Sequence, residues 1–256
     1  MNVLIAGLSN RGRIRLNNED NFFINGSFKS DVMIQNFSCE SMVQCSIHVL
    51  AVCDGMGGES KGELASLRAV ELLNQMSAEN LYSIPSDYIQ QANRLICNEI
   101  EKNNRQRMGT TASVLMIKDN KCRICHIGDS RIYRLRDQNL MQLTKDHTRV
   151  QQMIDAGIIK KEDAGKSRKK HVLTQHLGIF PSEFLIEPQV IIDEKVLSGD
   201  LYLLCSDGLT DMLTDKEIES LLLCSESVTQ IATTLIQAAL EYGGKDNVTV
   251  VVVKII

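Results

Sequence analysis

The chain has 256 residues, 43% of them hydrophobic and 23% charged, with a formal net charge of −4. That balance excludes a disordered tail, a collagen-like repeat and a fold that depends on disulfide staples, and the acidic sign excludes bulk attraction to nucleic acid. No apolar run approaches the roughly 18 residues of a membrane span. The N-terminal stretch turns polar at Ser9-Asn10-Arg11, too early for a signal peptide. A cytoplasmic protein with no membrane partner is expected.

In chain order, strand-like runs are expected at Val3 to Ser9, Val43 to Cys53, Thr111 to Ile117, Lys121 to Ile127, Arg131 to Leu135, Phe184 to Ile192, Leu201 to Cys205 and Val248 to Ile255, where β-branched residues or apolar–polar alternation dominate. Helices are expected from Glu63 to Met76, with an apolar stripe at Ala65, Ala69, Leu72, Leu73 and Met76, and around Ile89, Ala92, Ile96 and Ile100. Thr214-Asp215-Lys216-Glu217 and Ser227-Val228-Thr229-Gln230 read as capping boxes opening two more, the second stopped by Gly243-Gly244. Residues 26 to 42 read as a long loop. Strands come in neighbouring groups and the two long early helices are consecutive, which argues for α+β rather than βαβ alternation. Two antiparallel sheets packed face to face, with helices outside, would use all these parts. One domain spanning 1–256 is expected, and no uncovered apolar stripe calls for an oligomer, so a monomer is expected.

The stretch from Asp146 to Gly178 is the least regular, with Lys160, Lys161, Lys166, Arg168, Lys169 and Lys170 set against Glu162 and Asp163. It reads either as a solvated excursion or as a mobile flap, at about 147–180, that meets an anionic substrate. The chain has eight cysteines. Cys122-Arg123-Ile124-Cys125-His126 matches the spacing of haem attachment. The segment alternates like a strand, however, and a second Cys pair at zinc spacing is absent. Two incidental thiols are the expectation, with neither haem nor zinc.

Five segments share one pattern, an acidic residue beside a strand end or turn, mostly with glycine close by. They are Asn18-Glu19-Asp20, Asp54-Gly55-Met56-Gly57-Gly58, Gly128-Asp129-Ser130-Arg131, Ser206-Asp207-Gly208 and Gly243-Gly244-Lys245-Asp246-Asn247. A single Asp-Gly is ordinarily just a turn. Five together suggest carboxylates converging on one spot, where mutual repulsion and desolvation require protonation or bound cations. Oxygen-only ligands select hard ions such as Mg²⁺ or Mn²⁺. Two such ions roughly 3.5–4 Å apart can share and activate a water aimed at phosphorus. No G-x-S-x-G elbow, C-x5-R loop or Walker A lysine is present to suggest covalent or nucleotide-binding chemistry. Arg15, four residues before Glu19, has a planar fork that fits phosphate, though on sequence alone it is equally a surface arginine. Metals alone do not separate a monoesterase from a nuclease, but the acidic balance and the lack of interleaved aromatics count against the latter.

The segments Arg15-Leu-Asn-Asn-Glu-Asp20, Ala51-Val-Cys-Asp-Gly-Met-Gly-Gly58, Gly109-Thr-Thr-Ala112, His126-Ile-Gly-Asp-Ser-Arg-Ile-Tyr133, Leu143-Thr-Lys-Asp-His147, Cys205-Ser-Asp-Gly-Leu-Thr210 and Gly243-Gly-Lys-Asp-Asn-Val-Thr249 occur in one order across nearly the whole chain. In that order they resemble the metal-dependent protein phosphatases of the protein phosphatase 2C family, most closely the compact bacterial serine/threonine phosphatases. The resemblance implies a four-layer αββα sandwich with two Mn²⁺ or Mg²⁺ ions at one end. It implies that Asp54 bridges them, that the Gly55 carbonyl contributes, and that Asp207 and Asp246 complete one shell while Glu19 and Asp20 hold the other ion through water. Asp129 would match the ligand of a third, weaker ion, Arg15 would hold the substrate phosphate, and Asn247 would orient the loop carrying Asp246. The implied reaction is hydrolysis of phosphoserine or phosphothreonine in proteins by direct attack of a bimetal-bound water, opposing a Ser/Thr kinase. Three positions depart from the family pattern. Asn10 stands where an Asp is usual, and Gln175 replaces a common arginine. Met56 stands where many eukaryotic members carry a histidine acid, which leaves the general acid to bound solvent. The alternative reading, an inactive phosphoprotein-binding scaffold, is disfavoured because Asp54, Asp207 and Asp246 are all retained.

Overall fold

The computed structural model describes residues 2–42, 45–56, 61–160, 162–163, 167, 169–225 and 227–256. Gly57, Gly58, Lys161, Lys166 and Arg168, all singled out above, lie outside the described residues, as does Val43 at the head of the second expected strand.

Two six-stranded antiparallel sheets form the centre. The first runs β11 (Asn139–Gln142), β10 (Arg131–Arg136), β13 (Leu201–Cys205), β14 (Val248–Ile255), β1 (Val3–Asn10) and β4 (Asn36–Ser41). The second runs β12 (Gln189–Lys195), β9 (Lys121–Ile127), β8 (Ala112–Lys118), β5 (Ile47–Cys53), β2 (Asn21–Ile24) and β3 (Ser27–Phe28). A separate two-residue pair, β6 (Gly55–Met56) with β7 (Gly109–Thr110), follows β5 and precedes β8 in the chain.

Strand periodicity sorts the side chains into three cores. Along β14, Val251 and Val253 face between the sheets, with Phe22, Leu50, Leu115 and Tyr202. Val250 and Val252 face outward onto α6 (Asp215–Leu222) and α7 (Val228–Glu241). The other sheet's outer face packs on α1 (Gly62–Gln75), α2 (Ala78–Ser83) and α3 (Pro85–Lys102) through Val70, Leu73, Ile89 and Ile96. The four layers are therefore helix, sheet, sheet, helix, and both sheets are antiparallel as expected. Strands buried on both faces have no polar side to alternate, which is why β5 and β14 read as continuous apolar runs.

Several boundaries differ from the sequence reading. The second expected strand begins at Ile47, and the one expected over Phe184 to Ile192 is β12, Gln189–Lys195. The expected loop at 26–42 contains β3 and the edge strand β4, which pairs with β1 from Ile5↔Ser41 to Asn10↔Asn36. The second helical stripe is α3, opened by Pro85 at its first turn and preceded by the separate α2. Thr214 and Glu217 form the full capping box. Ser227 Oγ caps Gln230 N, but the Gln230 side chain takes Ser225 Oγ at 2.9 Å, so that box is half formed. In β9, Cys122 points between the sheets and Cys125 points to the helices, so the two thiols of C-x-x-C-H lie on opposite faces. All eight cysteines are free thiols. Among the described residues no helix is long and apolar enough to cross a membrane.

Candidate active site

Strand ends at one edge of the sandwich deliver the acidic residues. Asp54 follows β5, and its main chain is clamped on both sides. Its N–H donates to Thr111 Oγ1 at 2.9 Å, and its carbonyl accepts from Thr110 Oγ1 and Thr111 N, each at 2.9 Å. Thr111 Oγ1 lies 2.6 Å from Ser130 Oγ, which links this strand end to the Asp129 turn. Gly128 sets that turn at φ +108°, a region that favours glycine. Asp207 opens α5 (Asp207–Thr210) immediately after β13. Gly208 lets this helix touch the Asp246-Asn247 loop, since a Cβ there would sit 1.9 Å from the Asn247 carbonyl oxygen.

Arg15, Glu19, Asp54, Gly55, Asp129, Asp207 and Asp246 all line one cleft of about 680 Å³. Asp20 does not line it. It is 1% exposed, and one carboxylate oxygen accepts from Ser206 Oγ and Thr249 Oγ1, both at 2.7 Å. Asp20 therefore lies beneath the cleft, pinned between β13 and β14, while its neighbour Glu19 faces in. Asn247 ties two loops together, and its main-chain N–H donates to Asp246 Oδ1 at 2.8 Å. Its Nδ2 donates to Arg11 O and Asn17 O, and its Oδ1 accepts from Glu19 N, each at 2.8 Å. It thus fastens the loop that carries Arg15, not only the one that carries Asp246. Asn10 Oδ1 accepts from Gly12 N at 2.9 Å, a turn at the root of the same loop. Gln175 Oε1 accepts from Glu187 N, and Gln175 does not line the cleft.

The electrostatics follow from crowding. Burial, then Asp20, Asp207, Asp129 and Asp246, push the Asp54 carboxyl well above the ordinary range. Burial, then Asp207 and Asp146, do the same to Asp129. Burial and Asp207 raise Asp246, burial and Glu63 raise Glu19, and burial lifts Asp20 to about 7. Arg15 Nη2 meets Asp246 Oδ2 at 2.5 Å, the direct cation contact for that acid. So much negative charge in one cleft is what hard divalent cations relieve, and the donors are nearly all oxygens. The donor set fits Mg²⁺ or Mn²⁺.

Sequence reasoning missed part of the cleft. Thr148 and Leu173 bridge the base of the 147–180 segment, which carries α4 (Arg149–Asp155) and brings Lys170 and His171 to the cleft. His171 Nδ1 lies 3.4 Å from Asp207 Oδ2, its Nε2 lies 3.3 Å from Asp211 Oδ2, and Lys170 Nζ donates to Asp211 at 3.0 Å. His171 is the one nitrogen donor among the described histidines that lines the cleft. The lysine-rich composition of the segment was a signal for this contact. Nothing local marked His171 or Asp211, which meet only through tertiary structure.

Architecture and site together define a class, metal-dependent phosphatases built as an αββα sandwich. A protein-family model described as "Protein phosphatase 2C" matches residues 37–249. The chain is 34% identical to serine/threonine phosphatase stp of Listeria welshimeri, covering 96% of this chain and 93% of that protein. It is likewise 34% identical to serine/threonine protein phosphatase PstP of Mycobacterium tuberculosis, over 98% of this chain and 45% of that longer protein. The crystal structure of the Mycobacterium tuberculosis phosphatase PstP/Ppp superposes with a TM-score of 0.83 at 33% identity, covering 100% of this chain and 99% of that one. A PstP catalytic domain in complex with two manganese ions gives 0.79 at 34% identity, over 99% of each chain. The chain belongs to the protein phosphatase 2C family.

Proposed function

We propose that this cleft hydrolyses phosphoserine and phosphothreonine in proteins with the help of divalent cations, Mn²⁺ or Mg²⁺. The observation that carries the reading is the meeting of Glu19, Asp54, Asp129, Asp207 and Asp246, from five distant segments, around one cleft with Arg15 at its rim. The kinship to a phosphatase domain that holds two manganese ions supports it. In this reading Asp54, Asp207 and Asp246 would hold one ion, Asp54 and Glu19 the second with Asp20 beneath, and Asp129 a third, weaker one, with the Gly55 carbonyl, which stands beside Glu19, contributing. When bound, the ions supply charge neutralisation and an activated water for in-line attack on phosphorus.

The chain's own residues do the rest. Asp54, held by three main-chain hydrogen bonds, keeps its carboxylate fixed between the two sides of the cleft. Arg15 commits Nη2 to Asp246 and offers its remaining N–H groups to phosphate oxygens. Met56 lines the cleft and brings no titratable proton to the leaving serine or threonine oxygen. The whole chain acts as one catalytic domain with a flap at about 147–180. It works as a cytoplasmic monomer that reverses a Ser/Thr kinase.

The test is turnover of p-nitrophenyl phosphate and a phosphothreonine peptide with Mn²⁺ and with EDTA. Activity with Mn²⁺ that EDTA abolishes, and that Asp54→Asn lowers by orders of magnitude without unfolding the chain, is the expected result. Activity that survives EDTA would reject the metal role. A folded, Mn²⁺-binding chain inert on both substrates would favour a scaffold.

A further inference from the structure

The loop from Arg11 to Asn18, between β1 and β2, is tightly tied down. Arg13 N donates to Gly244 O at 2.8 Å, and Asn247 Nδ2 bonds both Arg11 O and Asn17 O. Yet this fixed loop leaves Ile14 68% and Leu16 86% exposed, one on each side of Arg15. Held out on either side of the cleft-lining Arg15, these two apolar side chains are placed where a peptide bound at the cleft would cover them.

Among the described residues, two of the cations near the same rim are paired and two are not. Arg15 is engaged by Asp246, and Lys170 across the cleft by Asp211. Arg13 and Lys245 enter no ion pair among the described residues, which leaves both free to meet a ligand's charge. Lys245 lines the cleft, and Arg13 packs against the same loop, its Cγ 3.2 Å from where a Cβ on Gly244 would stand. Two neighbouring cations repel one another, and a phosphate monoester already has Arg15. Their placement makes sense if the ligand brings more negative charge than its phosphate.

We infer that the phosphoproteins this site takes carry acidic residues next to the phosphorylated serine or threonine, read by Arg13 and Lys245, with an apolar neighbour resting on Ile14 and Leu16. The inference rests on the phosphatase reading above and names its substrate class. Complementary rim charges select partners mainly through encounter and KM, and the effect is screened by salt.

The experiment uses the full chain with Mn²⁺ and three phosphothreonine peptides whose flanking residues are Glu, Ala or Lys. Each kcat/KM is divided by that for p-nitrophenyl phosphate, so a general loss of activity cancels. The expected order is Glu, then Ala, then Lys, spanning about fivefold, the scale of two exposed ion pairs, expressed in KM and compressed by 0.5 M salt. Arg13→Gln with Lys245→Gln collapses the span, Arg13→Lys keeps it, and Leu16→Ser lowers all three peptide ratios. A wild-type span that is absent or reversed, or one that persists in the double variant, overturns the inference. Peptides and p-nitrophenyl phosphate all left intact would instead bring down the phosphatase reading and this one with it.

Discussion

The ammonium of Lys29, on a residue only 1% exposed, donates to the carbonyl of Asn18 at 2.6 Å, one residue before Glu19. Asn21 clasps Lys29 from both sides, accepting from its N–H at 3.0 Å and donating to its carbonyl at 2.9 Å. Burial pulls this amine down to about 8, and the charges of Asp20, Glu63 and Glu19 oppose that fall. Lys29 is thus a fixed cation whose field reaches Asp20 and Glu19, the carboxylates that would hold a divalent ion in the proposed reading. Lys29→Met should therefore tighten Mn²⁺ binding, by roughly fivefold for charges separated by several ångströms in a medium of intermediate polarity. Lys29→Arg should restore the native affinity. Mn²⁺ titration followed by electron paramagnetic resonance measures both, and a Met variant that binds Mn²⁺ more weakly would sink the idea.

Raised carboxyl pKa values translate into a dependence of stability on pH. Asp20 moves from an ordinary 3.8 to about 7, and Glu19, Asp54, Asp129 and Asp246 move in the same direction. A group whose folded pKa is raised stabilises the fold below its unfolded value, and that contribution is lost as pH rises through the folded one. From the carboxylates alone, metal-free protein should lose stability from about pH 4 to pH 7. Burial lowers His126 to about 3 and acts with the opposite slope, but it does so with or without metal. The difference between EDTA-treated and Mn²⁺-loaded protein isolates the carboxylates. Mn²⁺ should raise the melting temperature more at pH 7 than at pH 5. An equal increment at both values would contradict the crowding described above.

Close approach of α5 to the Asp246-Asn247 loop predicts a severe glycine substitution. Gly208→Ala puts a methyl carbon 1.9 Å from the Asn247 carbonyl oxygen, which is backbone and cannot rotate away. The two segments must separate, at a cost of about 1–3 kcal/mol or more. Asp207 and Asp246 would part as well, so Mn²⁺ affinity should fall together with stability. Urea denaturation and Mn²⁺ titration on the same variant check the pair. Native stability with native affinity would mean that the helix does not seat there.

Much of this was legible because the signals are local. A β-branched run buried on both faces, as in β14, announces itself, and so does the acidic residue with glycine that closes a strand at Asp54, Asp129 or Asp207. What stayed hidden depends on distant chain. β4 alternates, with Phe37 and Cys39 turned inward, but its outer face is exposed, no residue in it is fully buried and the inward pair is short, so Asn36–Ser41 reads as loop until β1 pairs with it. The Asp20 carboxylate looks equivalent to that of Glu19 in sequence, and only the hydroxyls of Ser206 and Thr249 show that it points away from the cleft. His171 meets Asp207 across a segment that has little periodicity.

Asn247 joins the loop that carries Arg15 to the loop that carries Asp246. Next to Asp246, its main-chain N–H donates to the Asp246 carboxylate at 2.8 Å. Its side chain makes three further hydrogen bonds at 2.8 Å, to Arg11 O, Asn17 O and Glu19 N, all on the loop that presents Arg15. At 4% exposure these bonds have little competition from water. Asn247→Ala removes them at about 1 kcal/mol each, so a loss of about 2–3 kcal/mol is expected. The kinetic signature discriminates between the roles. Loosening the Arg15 loop should raise KM for a phosphopeptide more than it lowers kcat, with Mn²⁺ affinity changed less than in Gly208→Ala. Were Mn²⁺ affinity to collapse while KM held, the side chain would serve Asp246 rather than Arg15.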